Sequence, residues 1–263
     1  MLNILFLGDI FGKPGRKLVR KLLPGLKERY NIDLTIANGE NAAGGIGITA
    51  SAMEELFMSG IDLLTSGNHI WDKKEMVEVI GGESRLLRPA NFPPGTPGKG
   101  AGVFEIRGTT IGVLNLAGRL FMPPQSDCPF HAAEREIEIL LQSTPVIIVD
   151  FHAEATSEKI ALGWLLKDKA SAVIGTHTHV QTADERILPG KAAYISDAGM
   201  VGPYDSILGL DPTEILWKFK TGLPMKWKIA SGACMLCGVV VTVDEKTGQA
   251  LEIKRLSEID NDH

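Results

Sequence analysis

Gly175-Thr176-His177-Thr178-His179 follows the short β-branched run Ala172-Val173-Ile174, so it reads as a loop leaving a buried strand. In extended backbone, residues two apart point to the same side, which would let His177 and His179 offer two imidazoles to one point in space. Imidazole is the commonest metal ligand among side chains. Four more stretches repeat the pattern of a strand delivering oxygen or imidazole groups: Asp9 after residues 2–7, Glu40 and Asn41 after 34–37, Asn68 and His69 after 61–65, and His152 after 145–149. Converging exits that carry only oxygen and nitrogen donors point to a hard or borderline divalent metal, and to more than one ion. Asp150 and Glu154 flank His152 and are placed to orient ring N–H groups, a role carboxylates often fill beside metal-ligating histidines.

The elements that must position these groups follow from pattern. The run 34–37 and the stretches 61–65, 145–149 and 172–174 are short, apolar and separated by helical spacings, which predicts an α/β arrangement with ligand groups at the carboxyl ends of strands. Residues 16–27 have helical periodicity, with Pro24 expected to kink or shorten the helix. Ser51 and Glu54 have the form of a capping box opening a helix through Phe57. Helices are also expected over 71–79, 132–141 and 157–169, and a hairpin over 104–106 and 111–116. Residues 196–230 read as irregular, apart from a helix begun at Asp211-Pro212 and stopped at Gly222. Strands at 234–243 and 251–254 end the chain, and the whole of 1–263 reads as a single domain.

Composition excludes several functions. Hydrophobic residues make up 44% and charged residues 22% of 263 positions, which fits an ordinary globular protein. The net charge is -5 and the 27 Lys and Arg are scattered, leaving no basic stripe to track a long nucleic acid. No apolar run is long enough to span a bilayer, and the first residues lack the basic start and cleavage site of a signal peptide, so a cytoplasmic location without membrane contact is expected. Cys128, Cys234 and Cys237 are too few for a disulfide framework, and the Cys234-Met235-Leu236-Cys237 spacing lies in an apolar strand with no second pair to complete a zinc site. Gly8 to Gly15 also fails as a phosphate loop, because three rather than four residues precede Gly12-Lys13 and Pro14 replaces the magnesium-binding hydroxyl.

Gly8-Asp9, Gly39-Glu40-Asn41, Gly67-Asn68-His69, His152 and Gly175-Thr176-His177-Thr178-His179 together resemble the five ordered motifs of the calcineurin-like metallophosphoesterases, over residues 2–180. Three departures stand out: Phe11 where that family carries a histidine, Glu40 where it carries aspartate, and Ile70 where it carries an acid. With the stretch 38–45, they resemble the bacterial YmdB-like subfamily, whose members are described as phosphodiesterases acting on cyclic nucleotides. The resemblance implies a four-layer α/β/β/α sandwich and a two-metal site. Asp9, Glu40, Asn41 and His179 would then hold one metal, and Glu40, Asn68, His152 and His177 the other, with Glu40 bridging and the Asn41 carbonyl replacing the lost histidine. Two divalent ions, two carboxylates and a hydroxide sum to a charge of about +1, which attracts a phosphate ester. Iron or manganese is expected ahead of zinc, since no thiolate is present. His69 is the expected general acid, and Asp72 is a candidate for orienting it in place of the missing acid.

The activity this implies is hydrolysis of small cyclic nucleotides, 2′,3′-cyclic ahead of 3′,5′-cyclic, by attack of a metal-bridging hydroxide. Two alternatives stay open: a phosphomonoesterase of the same fold, and a regulatory protein that binds a phosphorylated ligand with little turnover. The expected partner is a small phosphoester rather than extended nucleic acid, and self-association into a homo-oligomer stays open.

Overall fold

The computed structural model describes residues 1–261; the last two positions of the expected 1–263 domain lie outside the described residues. In chain order the elements are β1 (Leu2–Leu7), β2 (Asp9–Ile10), α1 (Gly12–Arg29), β3 (Leu34–Asn38), α2 (Ala50–Met58), β4 (Leu63–Thr65), α3 (Met76–Val79), β5 (Ala101–Ile106), β6 (Thr109–Ala117) and α4 (Pro129–Leu141). They continue with β7 (Ile147–His152), α5 (Thr156–Leu166), β8 (Ala172–Thr176), β9 (Arg186–Ile187), β10 (Ala193–Ile195), β11 (Met200–Pro203), α6 (Pro212–Thr221), β12 (Cys234–Val243) and β13 (Ala250–Asp260). One sheet orders its strands β2-β11-β12-β1-β3-β4, with β13 against β12, and the other runs β5-β6-β7-β8-β10-β9.

Alternation along the strands builds the layers. Leu5 and Leu7 of β1 face α1 and α2, packing with Leu18, Leu23 and Leu56, while Ile4 and Phe6 face the second sheet. In that sheet Ile148 and Ile174 face inward, and Ile147, Val149 and Val173 pack outward with Ile137 of α4 and Leu162 of α5. Three apolar interfaces separate four layers, giving the α/β/β/α sandwich expected. β1, β3 and β4 are mutually parallel, as are β6, β7, β8 and β10. Their carboxyl ends therefore gather the loops that carry the candidate residues.

Several boundaries differ from sequence expectation. α1 starts at Gly12 and passes through Pro24 to Arg29, neither cut short nor begun at Arg16. Pro14 sits in the first turn, where its missing N–H costs nothing, and Pro24 lies on the exposed face while Leu18, Val19, Leu23 and Leu26 bury the other. The cap of α2 is Thr49, whose side chain accepts from the Ala52 N–H, so Ser51 forms no capping box. Only Met76–Val79 of the 71–79 stretch is α-helical, and α5 ends at Leu166. β13 runs the full length of β12 rather than covering four residues. Within 196–230, β11 was not foreseen; it pairs with β2 and β12. The α6 signals held: the Asp211 side chain accepts from the Thr213 N–H, and Gly222 closes the helix at φ 70°. The hairpin turn is Arg107-Gly108, both at positive φ (49° and 79°), the geometry that matches strand twist. Cys234 and Cys237 are buried, and three residues apart in a strand they project from opposite faces, so they cannot chelate one ion.

Candidate metal centre

The inner faces of the strands change from apolar to polar over their last residues. Alternation that turns Ile36 toward the opposite sheet also turns Asn38; Ile148 brings Asp150 and His152, and Ile174 brings Thr176. All four are fully buried. The Thr176 hydroxyl donates to Asp150 Oδ1 (2.7 Å) and lies 2.9 Å from His152 Nδ1, while Asn38 Nδ2 donates to Asp150 Oδ2 (3.0 Å). Asp150 thus orients His152 through Thr176. Glu154 does its expected work directly, with Oε2 3.2 Å from His177 Nε2.

On this platform the candidate residues converge. His152 Nε2 is 2.9 Å from Glu40 Oε1 and 3.0 Å from His177 Nδ1, so Glu40, His152 and His177 point ligand atoms at one spot. Asn41 Nδ2 lies 3.2 Å from the same oxygen, Glu40 Oε1, and 3.1 Å from His179 Nε2, which is itself 4.0 Å from Asp9 Oδ1. Asp9 Oδ2 accepts from the His177 backbone N–H (3.0 Å). Asp9 Oδ1 and Asn68 Oδ1 are buried without a hydrogen-bond partner, an arrangement that costs free energy unless something electropositive meets them. Gly67 lets the backbone pass this cluster, since a Cβ there would meet Glu40 Oε2 and a His152 ring carbon, each at 2.2 Å. The residues present therefore fit a cation site around Glu40.

His177 and His179 do not reach it as expected. The strand stops at Thr176, and both residues adopt positive φ (103° and 65°), so they lack the extended backbone that would aim them at one point: His177 Nδ1 meets His152 Nε2 at 3.0 Å and His179 Nε2 meets Asn41 Nδ2 at 3.1 Å. His69 stands at the rim, its backbone N–H donating to Glu40 Oε2 (3.2 Å) and its Nδ1 2.6 Å from Asp72 Oδ2. With Nδ1 engaged by Asp72, Nε2 is the ring nitrogen left for a ligand.

Burial and the mutual charges of Glu40 and His152 set the electrostatics of the cluster. Burial, together with Glu40 and Asp197, raises Asp9 well above the usual carboxylate range. Burial also works against the Glu40 anion, but the charge and hydrogen bond of His152 outweigh it and hold Glu40 down to about 2. For His152 burial favours the neutral ring, yet Glu40, Asp9 and Asp150 lift it to about 9. Burial and the neighbouring His152 push His177 down to about 3, and burial lowers His179, which leaves both as neutral donors.

The family model of the YmdB-like protein matches residues 5–256. The chain belongs to the YmdB-like family of metallophosphoesterases. A relative from Bacillus subtilis, a 2′,3′-cyclic-nucleotide 2′-phosphodiesterase, is 52% identical over 100% of this chain and 98% of its own length. A solved structure from Mycoplasma pneumoniae described as a novel phosphatase superimposes with a TM-score of 0.93 at 34% identity, covering 99% of this chain and 94% of that one. A Thermus thermophilus protein described as hypothetical gives 0.92 at 40% identity, covering 98% and 100%.

Two parts of the YmdB-like site escaped sequence reasoning. Lys159 and Asp197, each side chain 1% exposed, form a buried ion pair at 2.7 Å. Asp197 Oδ2 also accepts from the Thr178 N–H (3.0 Å) and hydroxyl (2.8 Å), and Oδ1 from the Gly199 N–H (2.8 Å). Since the Gly199 carbonyl accepts from the Asp9 N–H (3.0 Å), this pair locks the turn between His177 and His179 to the strand exit carrying Asp9. The second part is an apolar wall contributed by residues 207–227, which lines, together with Glu40, Asn41, His177 and His179, a cavity of about 340 Å³. The Leu208 carbonyl accepts from His179 Nδ1 (3.2 Å), tying wall to cluster. Among the described residues, no helix is long and apolar enough to cross a membrane.

Proposed function

We propose that the chain is a metal-dependent phosphodiesterase acting on small cyclic nucleotides, with the 2′,3′-cyclic phosphate preferred and the 3′,5′-cyclic form a second substrate. The observation that carries it is the cluster of Glu40, His152 and His177, with orphaned buried oxygens on Asp9 and Asn68, beside a histidine whose Nδ1 is engaged by Asp72. The named activity of the 52% identical Bacillus relative supports the same substrate class.

Asp9, Glu40, Asn41 and His179 would hold one divalent ion and Glu40, Asn68, His152 and His177 the other. Iron or manganese is favoured over zinc by a donor set of oxygen and nitrogen without thiolate. Such a pair supplies Lewis acidity, lowering the pKa of water and neutralising charge on phosphoryl oxygens. The chain does the rest. Glu154, and Asp150 through Thr176, fix the ring orientations of His177 and His152, and Asn41 faces His179. His69, held at Nδ1 by Asp72, gives its Nε2 proton to the leaving 2′ or 3′ oxygen as the bond from that oxygen to phosphorus breaks and the oxygen of a water molecule, which gives up a proton to solvent, bonds to phosphorus in its place.

The deciding experiment compares kcat/KM for a 2′,3′-cyclic nucleotide, a 3′,5′-cyclic nucleotide, a phosphomonoester and a long single-stranded RNA at one metal and salt concentration. The 2′,3′-cyclic nucleotide should lead. Preference for the monoester would make this a phosphatase, the description borne by the Mycoplasma structure. Salt-sensitive preference for RNA would make it a nuclease.

A further inference from the structure

The cavity has two unlike halves. One holds the metal cluster and His69; the other is lined by Phe11, Leu208, Ile215, Phe219 and Trp227, with Lys218 the only charged side chain among the described residues of that half. Phe219 is 74% and Trp227 57% exposed, so these rings present their surfaces to the cavity rather than fill the core. Their mount is fixed. Ile215 is buried in a cluster with Phe11 and Leu210, α6 is capped at both ends, and Lys228 pairs with Asp211 at 3.1 Å. The Leu208 carbonyl reaches His179, so the wall keeps its distance from the cluster. Lys218 Nζ lies 5.7 Å from the Trp227 ring centre, close enough for its charge to be held over that face.

We propose that Phe219 and Trp227 form a stacking subsite for the nucleobase of the substrate. The proposal rests on the phosphodiesterase reading and adds what that reading leaves open, namely how the enzyme holds the part of the ligand that does not react. A phosphate at the cluster directs its attached nucleoside into the same continuous cavity, and a flat aromatic base matches open aromatic faces on a preformed apolar wall. Among the described residues of 207–227 that line the cavity, none has a carboxylate or amide side chain to read a base edge. Stacking without such readers is tolerant of base identity, so the order among nucleotides follows stacking strength, purines ahead of pyrimidines.

The test compares 2′,3′-cyclic AMP with the 2′,3′-cyclic phosphate of methyl riboside, which carries the same strained diester and no base. The metal-loaded wild-type enzyme should prefer the nucleotide in kcat/KM by roughly 5- to 150-fold, the range of one base–aromatic stack. Phe219→Ala and Trp227→Ala should each erode that preference through KM, with a several-fold larger loss on the nucleotide than on the base-less diester. Binding is read separately: adenosine 3′-monophosphate should quench intrinsic tryptophan fluorescence, and Trp227→Phe should remove most of the quench. Equal rates on the two wild-type substrates would overturn the subsite. So would equal losses on both substrates in the variants, or a changed oligomeric state with nucleotide preference intact, which would make the wall an interface between copies. Quenching at Trp227 by an enzyme that hydrolyses neither diester would leave the base site standing and remove the hydrolytic reading instead.

Discussion

Asp197→Ala is the most informative perturbation of the scaffold beneath the metal centre. It removes the anion that stands 2.7 Å from the Lys159 ammonium, in a pair whose side chains are both 1% exposed, and strands that ammonium without its partner. Breaking one side of a buried pair costs about 3–5 kcal/mol, because the surviving charge stays desolvated and unpaired. Three hydrogen bonds to Asp197 go with it, from the Thr178 N–H, the Thr178 hydroxyl and the Gly199 N–H. Lys159→Met should be milder, near the lower end at about 3 kcal/mol, because those same three donors remain to satisfy the Asp197 carboxylate. The second consequence is specific to the site. Thr178 sits between His177 and His179, both at positive φ, and this backbone persists only while its surroundings hold it. Asp197→Ala should therefore lower metal content under conditions where the protein remains folded, whereas Lys159→Met should retain more metal at equal loss of stability. Urea unfolding monitored by circular dichroism gives the stability, and elemental analysis of the folded protein gives the metal. A loss below about 1 kcal/mol in Asp197→Ala with metal content unchanged would refute the role assigned to the pair.

Other outcomes follow from the same geometry. His69→Ala should keep its metal and fold yet lose turnover by roughly 10² to 10⁴, with partial rescue by a substrate whose leaving group needs no proton; equal metal depletion in His69→Ala and His152→Ala contradicts the division of roles. Glu40→Gln removes the charge facing both halves of the cluster and should cost occupancy of both ions, so a variant that retains both with full turnover would show Glu40 misassigned. In the metal-free protein His152, lifted to about 9, is protonated at neutral pH, and a ligand ring must shed that proton. Metal uptake at pH 7 should release about one proton from His152, and apparent affinity should rise with pH until about 9 and then level; calorimetry in buffers of different ionisation enthalpy measures this, and uptake independent of pH over that window would contradict it.

The strand exits were legible because two local signals coincide there: apolar alternation ends, and a residue with ligand chemistry begins. Asp9, Glu40, Asn41, Asn68, His152, His177 and His179 could be gathered on that basis, and the parallel pairing of β1, β3 and β4 and of β6, β7 and β8 brings their loops to one place. Asp72 was within reach for the same reason, three residues from its partner. What escaped depends on contacts remote in sequence. Lys159 reads as one more helical surface lysine until Asp197, 38 residues later, is seen against it. β11 is only four residues with a glycine and a proline, and it becomes a strand because β12 and β2 offer it partners on both sides. Pro24 in α1 is tolerated by tertiary burial that propensity does not register. The turn at His177 and His179 could not be read either, since an extended exit and a positive-φ exit share the same sequence signal until Asp9 and Asp197 fix the backbone.

The central claim is that hydrolysis of a cyclic nucleotide depends on two metal ions held about Glu40. Turnover of a 2′,3′-cyclic nucleotide measured against metal content per chain, through chelation and stepwise return of manganese or iron, tests it most directly. Activity should vanish on removal, return with added metal and reach its plateau close to two ions per chain. A metal-free preparation that stays fully active would contradict it.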